Sequence, residues 1–192
     1  MLLFGGEGME KRYEEYAYVL DFLPHGRPRM RGRFRAGSIV QALGEEYFTL
    51  LEAAVKEGEV LKPQERIYVG KKFRSKITYI IGRIRYEDLT SAAQMELPVA
   101  VERIVKERED WFVNFFNTAQ AITPRMHALE LIPGIGKKYM WQIIEEREKE
   151  PFKDFEDIKR RVNLPNPIKL LVRRILEEIS GESKYHLFTR PS

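Results

Sequence analysis

Leu129-Glu130-Leu131-Ile132-Pro133-Gly134-Ile135-Gly136-Lys137-Lys138-Tyr139-Met140-Trp141-Gln142-Ile143-Ile144 sets the architecture of the C-terminal half. An apolar helix end, a Pro-Gly-Ile-Gly turn and a second helix with apolar residues at helical spacing make a tight hairpin. Glycine takes up backbone conformations that a Cβ resists, and it lets another molecule approach the main chain. The first N–H groups of the following helix have no intrahelical acceptor, and together with the positive end of the helix dipole they suit a phosphate oxygen. Lys137 and Lys138 add charge at the same place. The bland alternative is a Pro-Gly turn that merely joins two packed helices.

Helical periodicity extends to both sides of this stretch. Pro98 stands at a predicted helix start, and Val101, Ile104, Val105, Trp111, Phe112, Phe115 and Phe116 follow it as an apolar stripe. Thr123-Pro124 marks a second start, with Thr as N-cap and Pro at the first helical position, for a helix running to about Leu131. A third helix is expected from Lys137 to about Glu148, with Trp141 in the core. Asp154, with Asp157 three residues on, caps a fourth over Phe155 to Val162; Asn166-Pro167 caps a fifth that ends at Ser180-Gly181. Residues 158–175 thus repeat the helix, turn, helix layout without its glycines. Arg160, Arg161, Arg173 and Arg174 on that repeat are outer phosphate contacts or a solvated face.

Before residue 90 the period is two. Strands are expected at Tyr16–Leu23, at Ser38–Leu43, at Tyr47–Val55 (where a short helix also fits), as a strand, turn and strand over Glu59–Gly70, and at Lys76–Tyr86. Short strands with turn signals following one another in that span point to a small closed or partly closed β-barrel. Charge is unevenly spread over it. No acid occurs from Phe22 to Gly44, where Arg27, Arg29, Arg31, Arg33 and Arg35 lie, nor from Arg66 to Tyr86, which holds Lys71, Lys72, Arg74, Lys76, Arg83 and Arg85 besides Arg66. Two acid-free runs are the footprint of a phosphate-binding face, against the plainer reading of solvated loops. Phe34 and Phe73 sit between cations in these runs and are candidates for stacking on bases. Tyr68, Tyr79 and Tyr86 are read as packing residues.

The chain has 192 residues, 33 Lys and Arg against 29 Asp and Glu, three His and no Cys. The lack of Cys excludes a disulfide scaffold, a thiolate metal site and a Cys nucleophile. His25, His127 and His186 have no partner at metal-ligand spacing. Glu107-Arg108-Glu109-Asp110 places its acids in different directions on a helix, which suits a solvated face better than a metal-dependent nuclease. No apolar run spans a bilayer, and the N-terminal Met1-Leu2-Leu3-Phe4 is too short for a signal peptide, so a soluble cytoplasmic protein without membrane contact is expected.

The segment around Gly134 and Gly136 resembles the helix-hairpin-helix motif over roughly 20 residues. That resemblance implies non-specific grip on nucleic-acid backbone by the main chain at Gly134, Ile135, Gly136, Lys137 and Lys138. Some members of that family hold a monovalent cation (K⁺ or Na⁺) with hairpin carbonyls, which fall here on Ile132 and Ile135; no other cofactor is implied. The second, glycine-free hairpin resembles the degenerate half of a paired domain. The barrel is similar to an OB-fold. The order of parts resembles an uncharacterised archaeal family, domain of unknown function 655, over most of residues 13–180.

The fold expected is therefore α+β with two domains: an N-terminal arm (1–12), an OB-like β-barrel (13–90), a helical helix-hairpin-helix domain (91–181) and a C-terminal tail (182–192). The function expected is nucleic-acid binding without catalysis, at the hairpin and at Arg27, Arg29, Arg31, Arg33, Phe34, Arg35, Lys71, Lys72, Phe73, Arg74 and Lys76. RNA is favoured over DNA because a small barrel with basic, aromatic loops suits single strands. The alternatives are a DNA-repair glycosylase or lyase, for which the resemblance to helix-hairpin-helix glycosylases implies a Schiff base between Lys138 and the aldehyde of an abasic site, with Asp154 as the acid some residues beyond, and a protein-interaction module that has lost nucleic-acid contact. The oligomeric state stays open.

Overall fold

Tyr16-Ala17-Tyr18-Val19-Leu20-Asp21-Phe22-Leu23 forms strand β1 (Tyr16–Leu23) in a computed structural model that describes residues 13–26 and 37–190. Strands β2 (Ile39–Gly44), β3 (Leu50–Val55), β4 (Arg66–Tyr68) and β5 (Ile77–Arg83) join it in an antiparallel sheet of order β4-β1-β2-β3-β5. The sheet curls into a half-barrel with β4 and β5 at its edges. Register slips between Val19 and Asp21 and between Glu52 and Ala53 bend the strands, as bulges do. Ala17, Val19, Val40, Ala42, Leu51, Ala53, Ile67 and Ile77 form the core beneath the sheet.

Two of the strand expectations need correction. Tyr47–Val55 is neither a full strand nor a helix: Phe48 takes a φ of 54° in the turn, and β3 begins at Leu50. Of Glu59–Gly70 only Arg66–Tyr68 is strand, because Pro63 has no N–H to give a ladder and Gln64 turns with a φ of 66°.

Helix α1 (Ser91–Glu107) starts before Pro98, which lies inside it. The start is fixed from β2 rather than by the proline. Buried Gln41 donates to the Glu52 carboxylate at 2.9 Å and the Asp88 carbonyl at 3.0 Å, and accepts the Thr90 N–H at 2.9 Å. Thr90 in turn donates to Asp21 at 2.6 Å and accepts the Ala93 N–H at 3.0 Å, which makes it the N-cap. The apolar stripe does not form one helix with it: the backbone breaks at Arg108, and α2 (Glu109–Thr118) follows.

The helix expected over Thr123–Leu131 is absent. Strands β6 (Ala121–Thr123) and β7 (Met126–His127) form a small hairpin with Pro124 in its turn, followed by a 3-10 turn over Ala128–Leu131. Proline presets the turn's φ at least as readily as it starts a helix, and that preference wins here. Helices α3 (Lys137–Lys149), α4 (Phe155–Val162) and α5 (Pro167–Ile179) complete the regular structure of the described residues. Asp154 caps α4 by accepting the Asp157 N–H at 2.7 Å, as its spacing predicts.

The chain divides into two compact units: the described residues of Met1–Ala100 with those of Glu178–Ser192, and Val101–Glu177. Within the first, the buried Glu178 carboxylate accepts the N–H groups of Leu187, Phe188 and Thr189 at 2.8, 3.0 and 2.9 Å, and the Arg190 guanidinium lies 4.2 Å from the Tyr47 ring centre. Residues read as a tail therefore bury Leu187 and Phe188. Within the second, Arg161 holds α3 and α4 together. It reaches the Asp157 carboxylate at 3.1 Å and the carbonyls of Glu146 and Glu150 at 2.5 and 2.8 Å, with Phe152 under its guanidinium.

Candidate nucleic-acid interface

Ile132-Pro133-Gly134-Ile135 is a tight turn closed by the Ile135 N–H donating to the Ile132 carbonyl at 3.0 Å. Proline in its second position and a φ of +94° at Gly134 give the type II pattern, which only glycine enters without strain. A Cβ on Gly134 would also press on Leu170 of α5 at 3.0 Å, so this glycine is required by the fold itself. The side chains of Ile132 and Ile135 are buried and anchor the turn. The Ile132 carbonyl retains one lone pair beyond the turn's hydrogen bond.

Gly136 is different. It is the N-cap of α3 in extended backbone, and a Cβ built on it meets nothing within 4 Å. Its carbonyl accepts the Met140 N–H at 2.9 Å, but no side chain caps the N–H groups of the first turn. Lys137 and Lys138, the next two residues, are exposed, and among the described residues neither is in an ion pair. Two other helices of this unit are capped by side chains, α4 by Asp154 and α5 by Asn166, whose side chain accepts the Lys169 N–H at 3.1 Å, whereas α2, like α3, has no side-chain cap. The second hairpin solves its turn with Asn163 and Asn166 at φ 55° and 37°, so asparagine stands in for the missing glycines. Its arginines are spoken for. Arg174 is buried, Arg161 joins α3 to α4, and Arg160 and Arg173 pair with Asp157 and Glu177.

Trp141 corrects an expectation. It is 57% exposed, one turn beyond Lys137 and Lys138, while Met140 and Ile143 take the buried face. His127 shapes the approach to the turn: its Nδ1 accepts the Leu129 N–H at 3.1 Å while Glu130 accepts the His127 N–H at 2.9 Å. Burial and the nearby Arg147 hold the imidazole below its ordinary pKa.

In the half-barrel, the basic run after β4 folds into a pinned loop. The Lys56 ammonium donates to the Arg74 carbonyl at 2.6 Å and lies 4.6 Å from the centre of the Phe73 ring, which is 85% exposed. The Lys72 N–H donates to the Tyr68 hydroxyl at 3.0 Å, Arg74 donates to the Val69 carbonyl at 3.3 Å, and Lys71 lies over the Tyr13 ring. Lys76 pairs with Glu65, which reduces its value to an outside anion. Arg27, Arg29, Arg31, Arg33, Phe34 and Arg35 lie outside the described residues.

A cavity of about 290 Å³ opens beside this loop. Glu14 is part of its lining. Its carboxylate accepts the N–H groups of Glu46, Tyr47 and Thr49 at 2.9, 3.0 and 3.1 Å, and burial raises its pKa. Among the described residues no cluster of three His, Cys, Asp or Glu is placed to hold a metal, and no helix is long and apolar enough to cross a membrane. Two acids of Glu107–Asp110 have structural work: Glu107 pairs with Arg103, and Glu109 accepts the Phe155 N–H at 2.8 Å.

A mixed α and β chain with a curled five-stranded half-barrel and five helices is the class these elements define. The chain belongs to the protein family of unknown function DUF655, whose model matches residues 13–190. It is 43% identical over 189 residues to an uncharacterised protein of Methanocaldococcus jannaschii, covering 97% of this chain and 85% of that one. The crystal structure of a protein of the same family from Archaeoglobus fulgidus superposes with a TM-score of 0.83 at 49% identity, over 92% of this chain and 100% of that one.

Proposed function

We propose that this protein binds nucleic acid without acting on it chemically, holding the sugar-phosphate backbone at the turn Gly134–Lys138. One observation carries the reading: the start of α3 offers uncapped N–H groups behind an N-cap glycine with open space before it, followed by two exposed lysines. A phosphate oxygen is the partner that this combination of helix end, dipole and charge favours. On this reading the turn and α3 are the phosphate-gripping part of a helix-hairpin-helix, and α4 with α5 is its degenerate companion. The partly open five-stranded barrel is OB-like, and its loop Lys71–Arg74 with Phe73 supplies further backbone and stacking contacts. Trp141 adds a stacking surface one turn from the phosphate grip.

Single-stranded RNA is the favoured form. A lyase gains no support from Asp154, whose carboxylate caps α4.

Fluorescence anisotropy with labelled single-stranded RNA, single-stranded DNA and duplex DNA over a range of salt tests the proposal. Binding that weakens steeply with salt, and that Lys137→Glu with Lys138→Glu removes, is expected. Absence of binding to all three, or a flat salt dependence, refutes it.

A further inference from the structure

The cavity in the half-barrel has a composition that the sequence runs do not show. Leu51 of β3, Ile80 of β5 and Val69 after β4 form an apolar wall, and Gly70 and Gly82 keep it narrow in side chains. Lys71, Arg74 and Arg83 stand around it, gathered from the loop after β4 and from the end of β5. Tyr13, 48% exposed, adds an aromatic ring, and Lys71 lies 4.2 Å from that ring's centre. Arg83 is in no ion pair among the described residues, and Arg74 has only a long bond to a carbonyl. The single acid among the described lining residues, Glu14, is turned to three backbone N–H groups of the loop after β2.

An apolar slot with an aromatic side and three cations at its rim matches a ligand with a flat, weakly polar body and an anionic end. The volume is at the small end of ligand pockets, enough for one base and its sugar. The geometry points to a nucleotide subsite: a base enters between Tyr13 and the apolar wall, and its phosphate lies against Lys71, Arg74 and Arg83. The ligand is a free nucleotide or one residue of a strand, and only the strand form rests on the function proposed above. Arg83 and Tyr13 are the residues this adds to the site.

Amide NMR titrations of the whole protein with adenosine and uridine monophosphates, and with a single-stranded RNA 12-mer, separate the two sources. Shifts at Gly70, Lys71, Arg74, Gly82 and Arg83 are expected. Shifts with the mononucleotides assign the site to free nucleotide; shifts with the 12-mer alone assign it to a base within a strand. Arg83→Ala and Tyr13→Ala change exposed side chains and leave the fold intact by circular dichroism, and each is expected to weaken the cavity's ligand about tenfold. In Lys137→Glu with Lys138→Glu the mononucleotide shifts at Gly70, Lys71, Arg74, Gly82 and Arg83 are expected to persist. If that pair also leaves 12-mer affinity unchanged while the cavity shifts persist, the hairpin proposal fails and the cavity stands. No shift at the cavity with either probe, or unchanged affinity in Arg83→Ala, overturns this inference.

Discussion

The carboxylate of Glu14 occupies the space where a side chain on Gly44 would be. Because Gly44 has no Cβ, Glu14 reaches the turn after β2 and satisfies the N–H groups of Glu46, Tyr47 and Thr49. These bonds hold the turn in which Phe48 keeps a left-handed φ. Gly44→Ala is expected to expel the carboxylate and cost about 3 kcal/mol in urea unfolding, as buried donors left unpaired do. Glu14→Ala removes the same bonds, so the double variant is expected to lose little more than either single one. Additive losses would show that the two residues act separately.

Gly136 allows a test in which stability and affinity move in opposite directions. Its extended backbone is the N-cap conformation that serine adopts, and its Cβ position is open. Gly136→Ser is expected to raise the unfolding free energy by a few tenths of a kcal/mol. Its hydroxyl then takes an N–H of α3 that phosphate needs, and nucleic-acid affinity is expected to fall roughly fivefold. Gly134→Ala is expected to lower stability instead, because its φ and Leu170 both resist a Cβ.

Trp141 reports on the same surface. In a Trp111→Phe background it is the single tryptophan, and titration with oligonucleotide is expected to quench its emission and shift it to the blue. Unchanged emission under conditions where anisotropy shows binding would place the bound strand away from α3.

His127 gives the approach to the turn a pH dependence. Only a ring with an unprotonated Nδ1 accepts the Leu129 N–H, and the folded protein holds the imidazole below its ordinary value. A depressed group contributes stability above the unfolded value, about 6.5, and loses it as the pH falls through the folded value. The urea midpoint is expected to drop between about pH 7.5 and pH 5.5, and the drop is expected to shrink in His127→Asn, whose side chain does not titrate there. An equal drop in both proteins would assign the effect to other groups.

Arg161 joins α3, α4 and the Phe152 ring through a planar fork that lysine does not reproduce. Arg161→Lys is expected to cost roughly 2 kcal/mol in unfolding free energy while leaving nucleic-acid affinity unchanged. A loss of affinity in the folded variant would give this residue a role at the interface.

What was legible in the chain followed from local chemistry. Alternation located β1, β2 and β5, and Asp154 and Asn166 announced α4 and α5 because capping is decided within three residues. The start of α1 was hidden, since it depends on Gln41 and Asp21, far back in sequence, which meet Thr90 only in the folded sheet. The 3-10 turn before Gly134 was hidden because Thr123-Pro124 suits a turn as well as a helix start. Trp141 was misplaced although its phase could have shown the outcome. At about 100° per residue it lies between the directions of Lys137, Lys138 and Glu145, not those of Met140 and Ile143. The cavity rim was half visible: Lys71, Arg74 and Arg83 lie in one basic run, but Tyr13 lies outside it, and the four come to one rim only through the pairing of β1 with β4 and of β3 with β5.

Glu178 clasping Leu187, Phe188 and Thr189, with Arg190 over Tyr47, also bears on how the chain is made. The half-barrel's sequence is interrupted by the whole helical unit and resumes after it. As the chain leaves the ribosome, the helical unit has all its residues in hand before the β unit has its own. The first unit to begin is the last to be finished, and the ring of Tyr47 waits through all of that synthesis for its cation.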